Sequence, residues 1–228
     1  MVTMFRVEDK YVIPQNDYFE LRERLAAVLS RDSNSSSASN VYQISSLYFD
    51  DLKDSDYRDT LDGNPHRKKH RIRIYNNSFS TIKLEVKTKQ YNRIAKQSVP
   101  ISEEEMKSLI YGRTISWGDT RDNPRSVFNE MILSRGLRPK VIVTYEREAF
   151  LYDSGNTRIT FDSAVRASNL TELFGDPELI HDIVPRGSYV LEVKYDEFIP
   201  DFILQLLEID SMEQTAYSKY QLCREIYM

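Results

Sequence analysis

Long charged side chains recur at every second position in several short segments of this chain. Lys69, Arg71 and Arg73 do so in KHRIRIY, and Lys83, Glu85 and Lys87 in TIKLEVKT. Arg6, Glu8 and Lys10 alternate near the N-terminus. Lys96 shares a face with Ser98, Arg147 lies in VTYEREAF, Arg158 and Asp162 lie in TRITFD, and Glu192 and Lys194 in VLEVK. A period of two is that of an extended strand, so each set projects from one face. Two arrangements satisfy the pattern. The charges form the solvated outer face of an antiparallel sheet, which alternation by itself favours. Alternatively they point inward and line a closed lumen, with helices covering the apolar faces outside. That lumen would hold roughly eight cations and three or four carboxylates, and repulsion among them would be costly without a polyanion. Its ligand would carry several negative charges in a row. Separate carboxylates would suit a hard divalent cation, which takes oxygen ligands.

Other chemistries are excluded or unsupported. The glycines stand at 63, 112, 118, 136, 155, 175 and 187, so neither GxGxxG nor GxxxxGK[ST] is present. Any phosphate must therefore be held by side chains. The single cysteine, Cys223, rules out an internal disulfide and a cysteine-built zinc cluster. His66, His70 and His181 have no common spacing and suggest no site. Thirty-one Lys and Arg against 35 Asp and Glu give a formal charge of −4, which argues against a general nucleic-acid binder. No run approaches the length of a membrane span, and the N-terminus lacks the pattern of a secretory signal. The cytosol is the expected compartment, and the sequons at Asn34, Asn76 and Asn169 are read as chance. Trp117 is expected to serve packing.

Alternation and turn residues place strands over Phe5–Ile13, Val41–Asp50, Lys69–Tyr75, Thr81–Thr88, Arg93–Ile101, Lys140–Tyr152, Thr157–Val165 and Tyr189–Tyr195. Helical spacing covers Asp17–Leu29 and Arg125–Ser134, and Ser102 with Glu105 makes a capping box for another helix. Two C-terminal helices are expected, at Asp201–Leu207 and Gln214–Ile226. SNSSSASN at 33–40 reads as a flexible loop. Eight mostly hairpin-linked strands imply antiparallel pairing and can close into a barrel. The expectation is one α+β domain over residues 1–228, an eight-stranded antiparallel β-barrel with bracketing helices, residues 201–228 packing on the barrel.

The opening Glu8-Asp9-Lys10 resembles the first-strand motif of the CYTH, or triphosphate tunnel metalloenzyme, superfamily. The whole series is similar to the polyphosphate polymerase domain of the vacuolar transporter chaperone (VTC) family. The matching pieces run in that family's order: RVEDKY, SLYFDD, HRIRIY, LEVKTK, IAKQSV, YEREAF, TRITFD, VLEVK and SKY. They span nearly the whole chain. The resemblance implies an inward-facing tunnel. It makes Lys10, Arg71, Arg73, Lys87, Lys96, Arg147, Arg158 and Lys219 phosphate-binding cations. It makes Glu192 a metal ligand, with Glu8 as second carboxylate and manganese or magnesium as cofactor. ATP or another triphosphate, together with polyphosphate, would be the ligands of a phosphotransferase. A tripolyphosphatase or organic triphosphatase of the same fold, or a non-catalytic polyphosphate-binding module, are the alternatives.

Two departures stand out. The superfamily opens with ExExK, and Arg6 stands at the first glutamate here, which weakens a two-metal site. The family's eukaryotic polymerases sit in membrane complexes, and this sequence shows no transmembrane part, so a membrane partner protein remains open. Three residues keep two readings: Glu85 as a lumen carboxylate or as partner of Lys83 and Lys87, Asp162 as metal ligand or orienter of arginine, and Arg93 as solvent-facing or phosphate-binding.

Overall fold

The computed structural model describes residues 5–32, 40–183, 188–208 and 212–228. Its strands are β1 (Arg6–Pro14), β2 (Ser30–Arg31), β3 (Val41–Asp50), β4 (His66–Tyr75), β5 (Ser78–Gln90), β6 (Arg93–Ile101), β7 (Arg138–Tyr152), β8 (Thr157–Ser168), β9 (Asp182–Ile183) and β10 (Ser188–Tyr195). The helices are α1 (Gln15–Ala26), α2 (Ser55–Leu61), α3 (Glu103–Ile110), α4 (Pro124–Arg135), α5 (Asp201–Leu207) and α6 (Lys219–Glu225).

The eight long strands close on themselves in the order β7-β3-β4-β5-β6-β1-β10-β8, with β8 pairing back to β7. Every pairing is antiparallel. Closure removes sheet edges, which is why so charged a sheet can stand without a second sheet behind it. The ring has one thin seam, because β1 and β6 share only the pairs Arg6↔Ile94 and Val7↔Arg93. The short β2 and β9 add to β7 and β8.

Strand periodicity then sorts the side chains. The outward faces of β3, β4 and β5 present Leu47, Phe49, Ile72, Ile74, Leu84 and Val86, all buried beneath α3 and α4 through Met106, Leu109, Phe128 and Ile132. On the other side Ile13, Phe150, Phe161, Leu191 and Val193 pack against α1 and α5, with Leu21, Leu25, Ile203 and Leu207. Each such side chain contributes roughly 1.5–3 kcal/mol on burial. Charges therefore point inward, and the solvated-face arrangement is excluded by what covers the opposite face. The capping box forms: Glu105 N–H donates to Ser102 Oγ at 3.2 Å and Ser102 N–H to Glu105 Oε2 at 3.1 Å. Gly155, in the turn between β7 and β8, has φ +67°, and a Cβ there would lie 2.3 Å from the Phe198 carbonyl oxygen.

Several expectations need correction. α1 begins directly after Pro14 and stops at Ala26, three residues short of the expected end, because the chain must turn to pair β2 with β7. β4 starts at His66, three residues early. The second C-terminal helix covers only Lys219–Glu225. The preceding residues are held extended over the barrel instead. Thr215 N–H donates to the Lys10 carbonyl at 2.8 Å, and Gln214 Nε2 donates to Asp9 Oδ1 at 2.6 Å. Ser218 then caps α6 by accepting from Gln221 N–H. Trp117 is 60% exposed and joins none of the three buried clusters. Residues 33–39 of the expected flexible loop lie outside the described residues.

Candidate functional site

Strands β8 and β10 and helix α6 build a dense ionic centre in the lumen. Asp162, fully buried, accepts two hydrogen bonds of 2.6 Å from Arg147, a bidentate fork that fixes the guanidinium. Lys219 reaches from the first turn of α6 to 2.5 Å from Asp162 and 3.7 Å from Glu192. Glu192 also lies 3.3 Å from Arg147, 3.4 Å from Lys10 and 2.6 Å from Lys194. The register places Lys10 opposite Glu192 and Glu8 opposite Lys194, so two carboxylates and two lysines alternate across one strand pair. Glu8 lies 2.9 Å from Lys87, 3.3 Å from Lys10 and 3.6 Å from Lys194.

Strands β4 and β5 supply a second group. Arg71 lies 2.7 Å from Glu85 and donates to the Tyr48 hydroxyl at 2.9 Å. Arg73 donates to Ser46 Oγ and to the Tyr145 hydroxyl, each at 3.2 Å. Lys96 lies 3.0 Å from Glu85. Glu85 is thus a lumen carboxylate, with Arg71 and Lys96 as partners rather than Lys83 or Lys87. Cavities of about 390 and 300 Å³ each share lining residues with a smaller one of about 80 Å³, and Lys87 lines all three.

The electrostatics follow from this crowding. Burial would push the Glu8 and Glu192 carboxyls up, but the surrounding lysines, and Arg147 at Glu192, hold both well below the usual carboxylate range. Glu85 is lowered in the same way, burial being outweighed by Arg71, Arg73 and Lys96. Lysines divide. Burial works against Lys219, yet Asp162 and Glu192 raise it above its ordinary value. Burial, only partly offset by Glu8, brings Lys87 down to about 7. Lys69 falls well below its ordinary value through burial and the charges of Lys10 and Lys87.

Six of the eight expected phosphate-binding cations converge in the lumen: Lys10, Arg71, Arg73, Lys87, Arg147 and Lys219, together with Glu8 and Glu192. The other two sit toward one mouth. Arg158 bonds Asp32 at 2.5 Å and the Tyr42 hydroxyl at 2.9 Å, and Lys96 is 43% exposed at its side chain. Asp162 orients Arg147 and Lys219, the second of its two readings. Arg93 is exposed. Arg6 lines the cavity of about 390 Å³ beside Lys96 and Arg158, 2.8 Å from Asp196 and bonded to the Asn156 carbonyl, which ties β1 to the β7–β8 turn. Sequence reasoning missed Ser46, Tyr48 and Tyr145, whose hydroxyls hold Arg71 and Arg73. Their signal was the same alternation, in SLYFDD and YEREAF, carried by neutral residues.

The VTC domain family model matches residues 5–228. The chain belongs to the VTC domain family. No curated protein matches it. Among solved structures, an adenylate cyclase candidate from Bacillus halodurans superposes with a TM-score of 0.56 at 13% identity, covering 96% of each chain. A second, from Vibrio parahaemolyticus, gives 0.52 at 12% identity over 97% of this VTC chain and 98% of its own. At such identity the likeness concerns the fold, an antiparallel tunnel.

Among the described residues no cluster of three or more His, Cys, Asp or Glu could hold a metal by itself. Asp162 is taken by Arg147 and Lys219. Glu8 and Glu192 share Lys10 and Lys194, and Glu8 also meets Lys87 while Glu192 meets Arg147 and Lys219. Two carboxylates of this kind suit a hard ion that takes one or two protein oxygens and completes its shell with phosphate oxygens. No described helix is long and apolar enough to cross a membrane.

Proposed function

We propose that this VTC domain is a phosphotransferase that holds a nucleoside triphosphate in the tunnel and lengthens a polyphosphate chain, with Mn2+ or Mg2+ as cofactor. The observation that carries the reading is the convergence of Lys10, Arg71, Arg73, Lys87, Arg147 and Lys219 on one lumen, where with Lys69 and Lys194 they outnumber the acids Glu8, Glu85, Asp162 and Glu192. Arg71 and Arg73 enter from one strand two residues apart, fixed by Tyr48, Tyr145 and Ser46, so their remaining N–H groups are aimed before any ligand arrives. Arg147 and Lys219 are likewise pre-positioned by Asp162. Phosphoryl transfer asks for such positioning and charge neutralisation rather than a protein nucleophile. Glu192, with Glu8, would hold the divalent ion, which when bound neutralises charge on the phosphate oxygens. Family membership supports the substrate class, and a membrane-bound partner is compatible with it.

The test is incubation with ATP and manganese followed by speciation of the products. Long chains are the expected outcome. Free phosphate would make the domain a tripolyphosphatase or organic triphosphatase, and binding without turnover a polyphosphate-binding module.

A further inference from the structure

Building on that reading, we propose that the tunnel's anion track continues out of the lumen along β4 and β5. The mouth carrying Arg67 and Lys89 then holds the outlying phosphates of a linear chain longer than three.

The register of β4 and β5 sets Arg67 opposite Lys89, Lys69 opposite Lys87, Arg71 opposite Glu85 and Arg73 opposite Lys83. Three of these four rungs join like charges, and directly opposed like charges destabilise a strand pair. A ribbon serving only as structure would alternate signs. Rungs two residues apart are about 6.8 Å from one another, so the ladder runs about 20 Å, well beyond the reach of a triphosphate. Its outer half lines a cavity of about 300 Å³. The opposite wall is the segment Gln214–Ser218, which brings no charge. Of the acids at this mouth, Glu8 is paired with Lys87, and Asp9 accepts from the Tyr195 hydroxyl at 3.2 Å and from Gln214, which leaves one carboxylate charge against Arg67, Lys69 and Lys89. Lys69 donates to Ser218 Oγ at 2.9 Å and Arg67 to the Asn64 carbonyl at 2.7 Å, neither of which neutralises a charge. Lys89 has no hydrogen bond or ion pair among the described residues. Burial and the neighbouring Arg67 and Lys10 charges lower its affinity for a proton, which an anion would restore. A row of like-charged rungs, in which Arg67, Lys69 and Lys89 have no ion pair among the described residues, matches a linear polyanion.

The experiment is calorimetric titration with tripolyphosphate and with a long linear polyphosphate. The Arg67→Gln/Lys89→Gln double variant is expected to bind the long chain at least about tenfold more weakly, because charge-assisted bonds to phosphate are lost. Its affinity for tripolyphosphate should stay within about twofold, the lumen cations being intact. Lys68→Gln, an exposed neighbour on the outward face, should change neither. Arg67→Lys/Lys89→Arg should keep long-chain affinity. Lys89→Gln alone carries the test if the double variant fails to fold, since that side chain has no partner to lose. Equal weakening of both ligands, or an unchanged long-chain affinity, overturns the mouth assignment while leaving the tunnel reading intact. A parent protein that binds neither ligand overturns both.

Discussion

The two halves of the lumen handle the same kind of charge in opposite ways. On the side of β8, β10 and α6, Arg147, Lys219, Lys10 and Lys194 each lie within 3.4 Å of a buried carboxylate of Asp162 or Glu192. On the side of β4 and β5, seven cations face each other with Glu85 as the only acid in their rungs. In the first half every one of these cations is ion-paired within the protein itself. The second is left in mutual repulsion, relieved in part by Glu85 beside Arg71, by Glu8 beside Lys87 and by lowered proton affinity at Lys69, Lys87 and Lys89. The contrast separates cations whose ion pairs also hold the tunnel's shape from cations that depend on a ligand for neutralisation.

The largest effect should come from breaking the neutralised half. Arg147→Met leaves Asp162 buried without its bidentate partner, a loss of about 3–5 kcal/mol. At roughly 2–4 °C per kcal/mol, thermal melting should drop by about 6–20 °C. A drop no larger than that caused by Lys69→Met would erase the distinction between the halves.

Glu192→Gln should reduce metal-dependent turnover by about a hundredfold, about 2.7 kcal/mol in the barrier. Tripolyphosphate should still bind without metal, because the substitution removes a negative group near a polyanion. Loss of that metal-free binding, measured calorimetrically beside an Arg71→Ala/Arg73→Ala control, would make Glu192 a structural residue instead.

The unneutralised half predicts ligand stabilisation of nearly the same size. Tripolyphosphate at a hundredfold excess over its dissociation constant should stabilise by about 2.7 kcal/mol. Melting should then rise by roughly 5–10 °C. Sulfate at matched ionic strength should do much less, and equal shifts would indicate generic surface charge.

A smaller effect appears with pH. Lys87 titrates near 7 in the free protein, and a bound phosphate favours its charged form. Binding therefore takes up a proton above pH 7, and tripolyphosphate affinity should fall by up to about tenfold per pH unit from 7 toward 10. Across the same window the unfolded chain holds more protons at this site, so Lys87's contribution to the free protein's stability rises with pH. The two trends run in opposite directions, and titrations and melts between pH 6 and about 9 measure them together. Parallel trends would mean that Lys87 does not face the ligand.

The smallest effect is at Lys69. Replacing it with Met removes repulsion along with its bond to Ser218, and melting should move by less than about 1 kcal/mol in equivalent stability. Phosphate affinity should still decline, which only a ligand-facing role explains.

Alternation in the sequence was enough to place eight strands and to put Lys69, Arg71 and Arg73, or Glu192 and Lys194, on common faces. A period of two is a local property of extended backbone, and turn residues mark its ends. The order of family motifs supplied the tunnel and most of the lumen's cations for the same reason, since each motif is short and contiguous. What lay beyond the sequence was everything set by contacts between distant segments. Alternation is equally consistent with an outer solvated face, and only α3 and α4 on one side and α1 and α5 on the other decide that the charges point inward. Alternation left Glu85 either as a lumen carboxylate or as partner of Lys83 and Lys87, whereas register gave it Arg71 and Lys96 from adjoining strands. Residues 214–218 continue a helical pattern, but the backbone bond of Thr215 to Lys10 and the side-chain bond of Gln214 to Asp9 of β1 outweigh the propensity to coil. The division of the lumen into a neutralised and an unneutralised half is likewise a product of tertiary structure. It depends on which strands become neighbours when the barrel closes, because Coulomb energies fall with distance in space and not with separation along the chain.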